Sequence, residues 1–237
     1  MRYNDADMLR HSVIWLLRDT TTAELRVEML KGLAYLRMEC PMVRSGDYGA
    51  DIFGGSQRLH EVPEAERIPV WRRGAAGPPS NYDVALHLDF DDWSGHEQYS
   101  ADPAHAAASR FNASVSWDEL TARVDWHYDG APPARRGHVK HVAMFVWADG
   151  AAEEAKQRAL DAVRRLAEAP GVEAVTIGHN VGRLVSDYDW IMDVQLPDRT
   201  ATERLLRGPH YAGAMETVAA VTKYEWTARL SHVMRGP

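Results

Sequence analysis

Hydrophobic and polar positions along the chain fall into one sequence of patterns that occurs twice. Leu9-Arg10-His11-Ser12-Val13-Ile14-Trp15 and Val139-Lys140-His141-Val142-Ala143-Met144-Phe145 each place a basic residue and a histidine ahead of an apolar run, and read as strands over 11–17 and 141–147. In the second half, Ala155, Ala159, Ala162, Val163 and Leu166 recur at helical spacing and the pattern stops before Pro170-Gly171, which predicts a helix over 152–169 and a second strand over 172–177. Third strands are predicted over 82–90 and 188–196. The earlier one alternates, with Val84, Leu86, Leu88 and Phe90 on one side and Asp83, His87 and Asp89 on the other. A helix over 93–99 that resumes over 105–115 follows, then last strands over 120–126 and 224–230.

The two halves align at offsets that stay constant across elements of different kinds. His11 falls on His141 and Asp19 on Asp149 at an offset of 130; Pro41, Val43 and Gly49 fall on Pro170, Val172 and Gly178 at 129. Farther on the offset is 106, pairing Tyr82-Asp83 with Tyr188-Asp189, Pro103 with Pro209 and Arg123 with Arg229. The change from 129 to 106 means 23 extra residues in the first half, in the Gly/Pro-containing stretch of about 54–80, which reads as a loop or lid. Each half therefore reads as β-α-β-β-α-β. Such a split unit forms a four-stranded antiparallel sheet with helices on one face, and its bare face needs a cover that a second copy supplies. The expected fold is α+β, two ferredoxin-like modules closing as an intramolecular dimeric α/β barrel. The expected boundaries are 8–128 and 138–233, joined by a Pro- and Arg-containing linker over 129–137.

Composition narrows the partners. Of 237 residues, 45% are hydrophobic and 26% charged, the balance of a globular chain. A net charge of -7 and the absence of a long Lys/Arg run exclude a nucleic-acid-binding surface. No apolar stretch approaches the roughly 18 residues of a membrane span, and no basic-then-apolar leader pattern is present. The single Cys40 cannot pair internally, so a cytoplasmic location is expected; next to Pro41 at a helix end it reads as a packed thiol. The expected assembly is a monomeric pseudo-dimer or a homodimer of fused chains.

His141-Val142-Ala143-Met144-Phe145, Pro170-Gly171-Val172 and Tyr99-Ser100-Ala101-Asp102-Pro103-Ala104-His105 together resemble the stress-responsive dimeric α/β-barrel (Dabb) family. The resemblance covers both halves apart from the insertion and the linker. Members of that family include polyketide cyclases similar to olivetolic acid cyclase, which use a His on the Pro-Ala-His element and a nearby Tyr for an aldol closure. Carried over by motif, the catalytic residues would be His105 and Tyr99, with His11 near the same site. The matching stretch of the second half has Tyr211 where His105 stands and Leu205 where Tyr99 stands, so the chemistry is expected in the first half.

Chemically, an imidazole can take an acidic C–H proton near neutral pH and return it to oxygen, so a cyclase or lyase acting on a carbonyl-rich small molecule needs neither metal nor organic cofactor. The competing reading of His105 is a histidine bonded to a backbone carbonyl near a helix start. Val13, Trp15, Leu86, Trp190, His141 and Tyr211 are the expected substrate contacts, with Trp15 and Trp190 offering flat stacking surfaces. His87 between Asp83 and Asp89 could ligate a metal, but no second His at ligand spacing supports it, and a solvated or subunit-facing strand surface is expected there. Two further functions fit the same architecture: a heme-binding or cofactor-free monooxygenase, and a non-enzymatic stress or ligand-binding protein.

Overall fold

The computed structural model describes residues 8–55, 80–128, 135–181 and 188–235. Most of the expected insertion and most of the expected linker lie outside these residues.

The first half contains β1 (Met8–Trp15), α1 (Ala23–Glu39), β2 (Ser45–Ala50), β3 (Val84–Phe90), α2 (Trp93–Ala101), α3 (Pro103–Val115) and β4 (Ala122–Tyr128). The second contains β5 (Val139–Phe145), α4 (Glu153–Arg164), β6 (Ala174–His179), β7 (Trp190–Leu196), α5 (Arg199–Arg207), α6 (Pro209–Ala219) and β8 (Ala228–Val233). Each half makes a four-stranded antiparallel sheet, ordered β2-β3-β1-β4 and β6-β7-β5-β8. This is the ferredoxin-like order, and the α+β architecture of two such modules is the one expected from the repeat. Strand ends differ from the sequence reading by up to four residues. The apolar Leu120 and Tyr224 extend the strand-like pattern, yet the chain there turns through tight 3-10 segments before β4 and β8 begin.

The two sheets face each other and close edge to edge. Where β4 meets β6, the Val181 N–H donates to the Asp125 carbonyl at 2.8 Å; where β2 meets β8, the Ile52 N–H donates to the Ser231 carbonyl at 2.8 Å. Gly178 and Gly49, paired by the internal repeat, sit at these two seams. A Cβ on Gly178 would come within 2.2 Å of the Trp126 ring, and one on Gly49 within 2.7 Å of His232. Trp126 and His232 are themselves equivalent at the offset of 106, so the same small-against-large contact closes both seams.

Strand alternation splits the side chains into two environments. Ile14, Ala85, Val124 and Trp126 meet Val142, Met144, Ile191 and Leu230 in an apolar core between the sheets. On the outer faces, Val13, Leu86, Leu88 and Phe90 pack under α1, and Phe145, Met192 and Val194 pack under α4 and α6. His87 and Asp89, expected on a solvated or subunit-facing surface, are buried in the space between the halves. Among the described residues no helix is long and apolar enough to cross a membrane.

Candidate functional site

A cavity of about 290 Å³ opens between the first sheet and its helices, on the outer face rather than between the two sheets. β1 delivers His11, Val13 and Trp15 to it, and β3 delivers Leu86. In the antiparallel register Asp125 of β4 lies directly opposite His11. His96 and Tyr99 stand one turn apart on α2, whose N-terminus is capped by Asp92 accepting from the Gly95 N–H. His105 sits in the first turn of α3, which Asp102 caps and Pro103 opens. Arg123 of β4 completes the polar wall.

The shortest polar contact in this cluster joins His11 Nδ1 to Asp125 Oδ1 at 2.6 Å, with Asp125 1% exposed. Burial alone would raise the Asp125 carboxyl, but the imidazoles of His11 and His96 and the charge of Arg123 hold it below the usual carboxylate range. The carboxylate is therefore ionised and can only accept, so Nδ1 carries the proton and Nε2 is left as the basic nitrogen. His96 Nε2 lies 3.7 Å from the same carboxylate oxygen, and burial followed by the neighbouring His11 lowers His96 to about 4, keeping it neutral. The rings of His11 and His96 are 5.0 Å apart, those of His11 and Tyr99 6.2 Å, and those of Tyr99 and His105 4.5 Å. Burial raises the Tyr99 phenol well above its ordinary value, so its hydroxyl keeps its proton.

His105 is half-buried. Its Nδ1–H donates to the Ser100 carbonyl at 3.1 Å, the contact that a purely structural histidine at a helix start would make. It nonetheless lines the cavity beside Tyr99. Burial lowers its affinity for a proton, leaving a neutral ring with Nε2 unprotonated.

The second half places its equivalents differently. His141 is bonded at both nitrogens, Nδ1 to Ser231 Oγ at 2.8 Å and Nε2 to the Tyr211 hydroxyl at 2.9 Å, and burial pushes it down to about 3. Ser231 occupies the position of Asp125, and Tyr211 that of His105. Tyr211 lines a separate cavity of about 480 Å³ with Tyr224 and Arg229. Trp190 reaches neither cavity: it is fully buried, stacked between Phe145 and Trp147 with centroids 4.3 and 5.0 Å away. Of the nine sequence-derived positions, His11, Val13, Trp15, Leu86, Tyr99 and His105 thus share one cavity, and His141, Trp190 and Tyr211 lie elsewhere.

Sequence reasoning missed Asp125, His96 and Arg123. Arg123 was visible as a repeat match to Arg229, and the same offset aligns Asp125 with Ser231, a difference that marks the two halves as chemically unequal.

Two cofactor questions can be put to the geometry. His11, His96 and Asp125 offer three ligating atoms within 4.8 Å of one another. A spacing of 2.6 Å between two of them is that of a hydrogen bond, shorter than the roughly 3.3 Å between neighbouring ligands on bonds of about 2.0 Å. A heme does not fit either. The imidazole-lined cavity lies near the lower end of the roughly 300–1,000 Å³ that small ligands occupy, too small for a porphyrin, and among the described residues the larger one has no histidine on its wall.

No protein-family model matches the sequence, and no curated protein does. Solved structures do match. An anthrone oxidase-like protein superposes with a TM-score of 0.60 at 12% identity, over 97% of this chain and 91% of the other. A monooxygenase candidate from Fusobacterium nucleatum subsp. nucleatum gives 0.52 at 8% identity, over 97% and 92%. A Dabb family protein from Mesorhizobium loti matches 41% of this chain over 97% of its own length, at 18% identity and a TM-score of 0.36. At these identities the likeness is one of fold: the chain has a ferredoxin-like, two-module α+β architecture.

Proposed function

We propose that the chain is a cofactor-independent oxygenase acting on a compact, enolisable aromatic ketone of the anthrone type, with the first-half cavity as its active site. The observation that carries this reading is His11 on the wall of a cavity that also holds Tyr99, His105 and Arg123, backed by the buried carboxylate of Asp125. His11 Nε2 removes the acidic C–H proton, and Asp125 stabilises the imidazolium that results. The developing enolate oxygen is stabilised by the Arg123 charge and the Tyr99 hydroxyl. The carbanion passes its electron pair to dioxygen, forming a C–O bond. The peroxide takes up the proton held by His11, and loss of water leaves a new carbonyl, so that one CH2 and one O2 give one C=O and one H2O. His105, nearer solvent, returns or removes protons at the cavity mouth. Trp15 and Leu86 supply the apolar walls that a flat substrate needs.

The same base would serve an aldol cyclisation, the function implied by the Dabb resemblance. The likeness of the whole barrel to an anthrone oxidase-like protein and to a monooxygenase candidate favours the oxygenase. The test is turnover of anthrone in air and under nitrogen. The expected result is uptake of one O2 per quinone formed, absent under nitrogen and lost in His11→Ala. Oxygen-independent closure of a poly-β-keto chain, with no O2 uptake on anthrone, would replace this reading with the cyclase.

A further inference from the structure

Between the two sheets, on the side of β1 and β3 facing away from the cavity, lies a second group of buried polar residues drawn from both halves. Asp47 comes from β2, His87 from β3 and His232 from β8, each no more than 1% exposed. Their ligating atoms fall within 4.8 Å of one another. Asp47 Oδ1, His87 Nε2 and His232 Nε2 are all buried, and among the described residues each lacks a hydrogen-bond partner. Three unpartnered atoms on side chains this close together leave room for a cation between them.

The other contacts of these side chains leave the right atoms available. His232 Nδ1 meets the Val233 carbonyl at 3.4 Å; a carbonyl only accepts, so the proton is on Nδ1 and Nε2 presents its lone pair toward Asp47 Oδ1 at 3.3 Å. Two acceptors face each other there. His87 Nδ1 is 2.9 Å from Ser12 Oγ, which also accepts from the Trp126 indole N–H at 3.0 Å, so the Ser12 oxygen can receive the His87 Nδ1–H and leave Nε2 bare. A second bond from each imidazole to a backbone or side-chain oxygen is the usual support of a metal-ligating histidine. The 3.3 Å between the oxygen and the His232 nitrogen matches a tetrahedral edge on bonds of about 2.0–2.2 Å. This is where the group differs from His11–Asp125, whose 2.6 Å fits only a proton.

Charge points the same way. Arg10 pairs with Asp89, and Lys140 bridges Asp47 at 2.7 Å and Asp193 at 3.1 Å, so three buried carboxylates face two buried cations. One negative charge is left over. A divalent ion carrying one hydroxide would balance it, with the hydroxide filling the fourth position, since the second Asp47 oxygen accepts from Lys140.

We infer that Asp47, His87 and His232 bind one divalent transition-metal ion of the Zn²⁺ class, which ties the β2–β8 seam of the barrel from the inside. The site is closed to the active-site cavity, so its role is structural, and it does not depend on the reaction proposed above.

The experiment uses the full-length chain without an affinity tag. Elemental analysis is expected to find about one equivalent of metal after exhaustive dialysis. Refolding with Co²⁺ is expected to produce the visible bands of a tetrahedral Co²⁺–imidazole site. Zn²⁺ at a hundredfold excess over its Kd is expected to raise Tm by about 5–10 °C. His232→Gln should abolish the bands, while Asp125→Asn, at the other histidine cluster, should leave them. Folded wild-type protein that takes up neither Zn²⁺ nor Co²⁺ would overturn the inference and assign the missing charge to a proton on His232. Full metal binding by folded His232→Gln would overturn the ligand set.

Discussion

The sharpest test of the active-site reading is Asp125→Asn. Asn keeps the shape of the side chain and removes its charge, so β4 should retain its register opposite β1. Two things are lost. An amide NH2 facing His11 Nδ1 invites the opposite tautomer, with the proton on Nε2, and a ring in that state cannot accept a proton from substrate. The imidazolium formed after proton transfer also loses its counter-charge. With the Nδ1–Oδ1 contact at 2.6 Å, the charge centres of ring and carboxylate lie roughly 4 Å apart, which at an effective dielectric constant of about 20 is worth about 4 kcal/mol. At 1.36 kcal/mol per decade that is a fall in kcat of about 10³-fold, inside the 10²–10⁴ span of general base catalysis.

The assay is steady-state O2 uptake with the anthrone-type substrate across a pH series, alongside circular dichroism and Tm. Loss of one charge-assisted hydrogen bond should cost about 1.5–3 kcal/mol of stability, leaving the variant folded. KM should change little, because Asp125 lies behind His11 and outside the first layer of cavity-lining side chains. A folded Asp125→Asn with kcat within about threefold of wild type would refute the assignment of His11 as the base and shift attention to His105.

Other outcomes follow from packing and titration. Gly178→Ala should destabilise the protein by at least about 1–3 kcal/mol in urea unfolding, since the new methyl meets the Trp126 ring, whereas Gly213→Ala on α6, with open space around it, should be neutral or stabilise by up to about 1 kcal/mol. His141, held at about 3, and His96, held at about 4, bind protons less readily folded than unfolded. Stability should therefore be full above about pH 6.5 and decline as pH falls toward 4, by up to about 1.4 kcal/mol per pH unit for each ring, a slope that His141→Gln should reduce in urea titrations. Tyr99→Phe should lower kcat by about 10²-fold with Tm nearly unchanged, as removal of a hydroxyl donor from an enolate oxygen predicts.

The repeat was legible because the same burial pattern is written twice at a fixed offset, and a sheet with one bare face demands a partner. The environment of that inner face was not. Asp83, His87 and Asp89 alternate with apolar residues just as a solvated strand would, and a sequence cannot distinguish water from an interior in which Arg10 and Lys140 neutralise carboxylates. Tyr99 and His105 were reached through a motif local in the chain. Asp125 was not, because a lone carboxylate between Val124 and Trp126 acquires meaning only when antiparallel pairing sets it against a histidine 114 residues away. His87 looked unsupported as a ligand for the same reason. A second histidine does stand near it in space, His232, in the other half and delivered by the seam between β2 and β8.

The two halves show how much of a histidine's chemistry is set by its neighbours. His11 and His141 occupy equivalent strands with equivalent exposure, 6% and 0%. His11 faces an ionised carboxylate on one nitrogen and turns the other toward the cavity; His141 meets a serine hydroxyl on one and a tyrosine hydroxyl on the other, so both its lone pair and its proton are occupied. The difference between a ring bonded at one nitrogen and a ring bonded at both is one residue on β4 against β8, Asp125 against Ser231, and one on α3 against α6, His105 against Tyr211. Two copies in one chain can diverge at these positions separately, which identical subunits of a homodimer cannot. The seam group needs that inequality too: Asp47 aligns with Thr176, His87 with Asp193 and His232 with Trp126, so a symmetric barrel would hold either two such clusters or none.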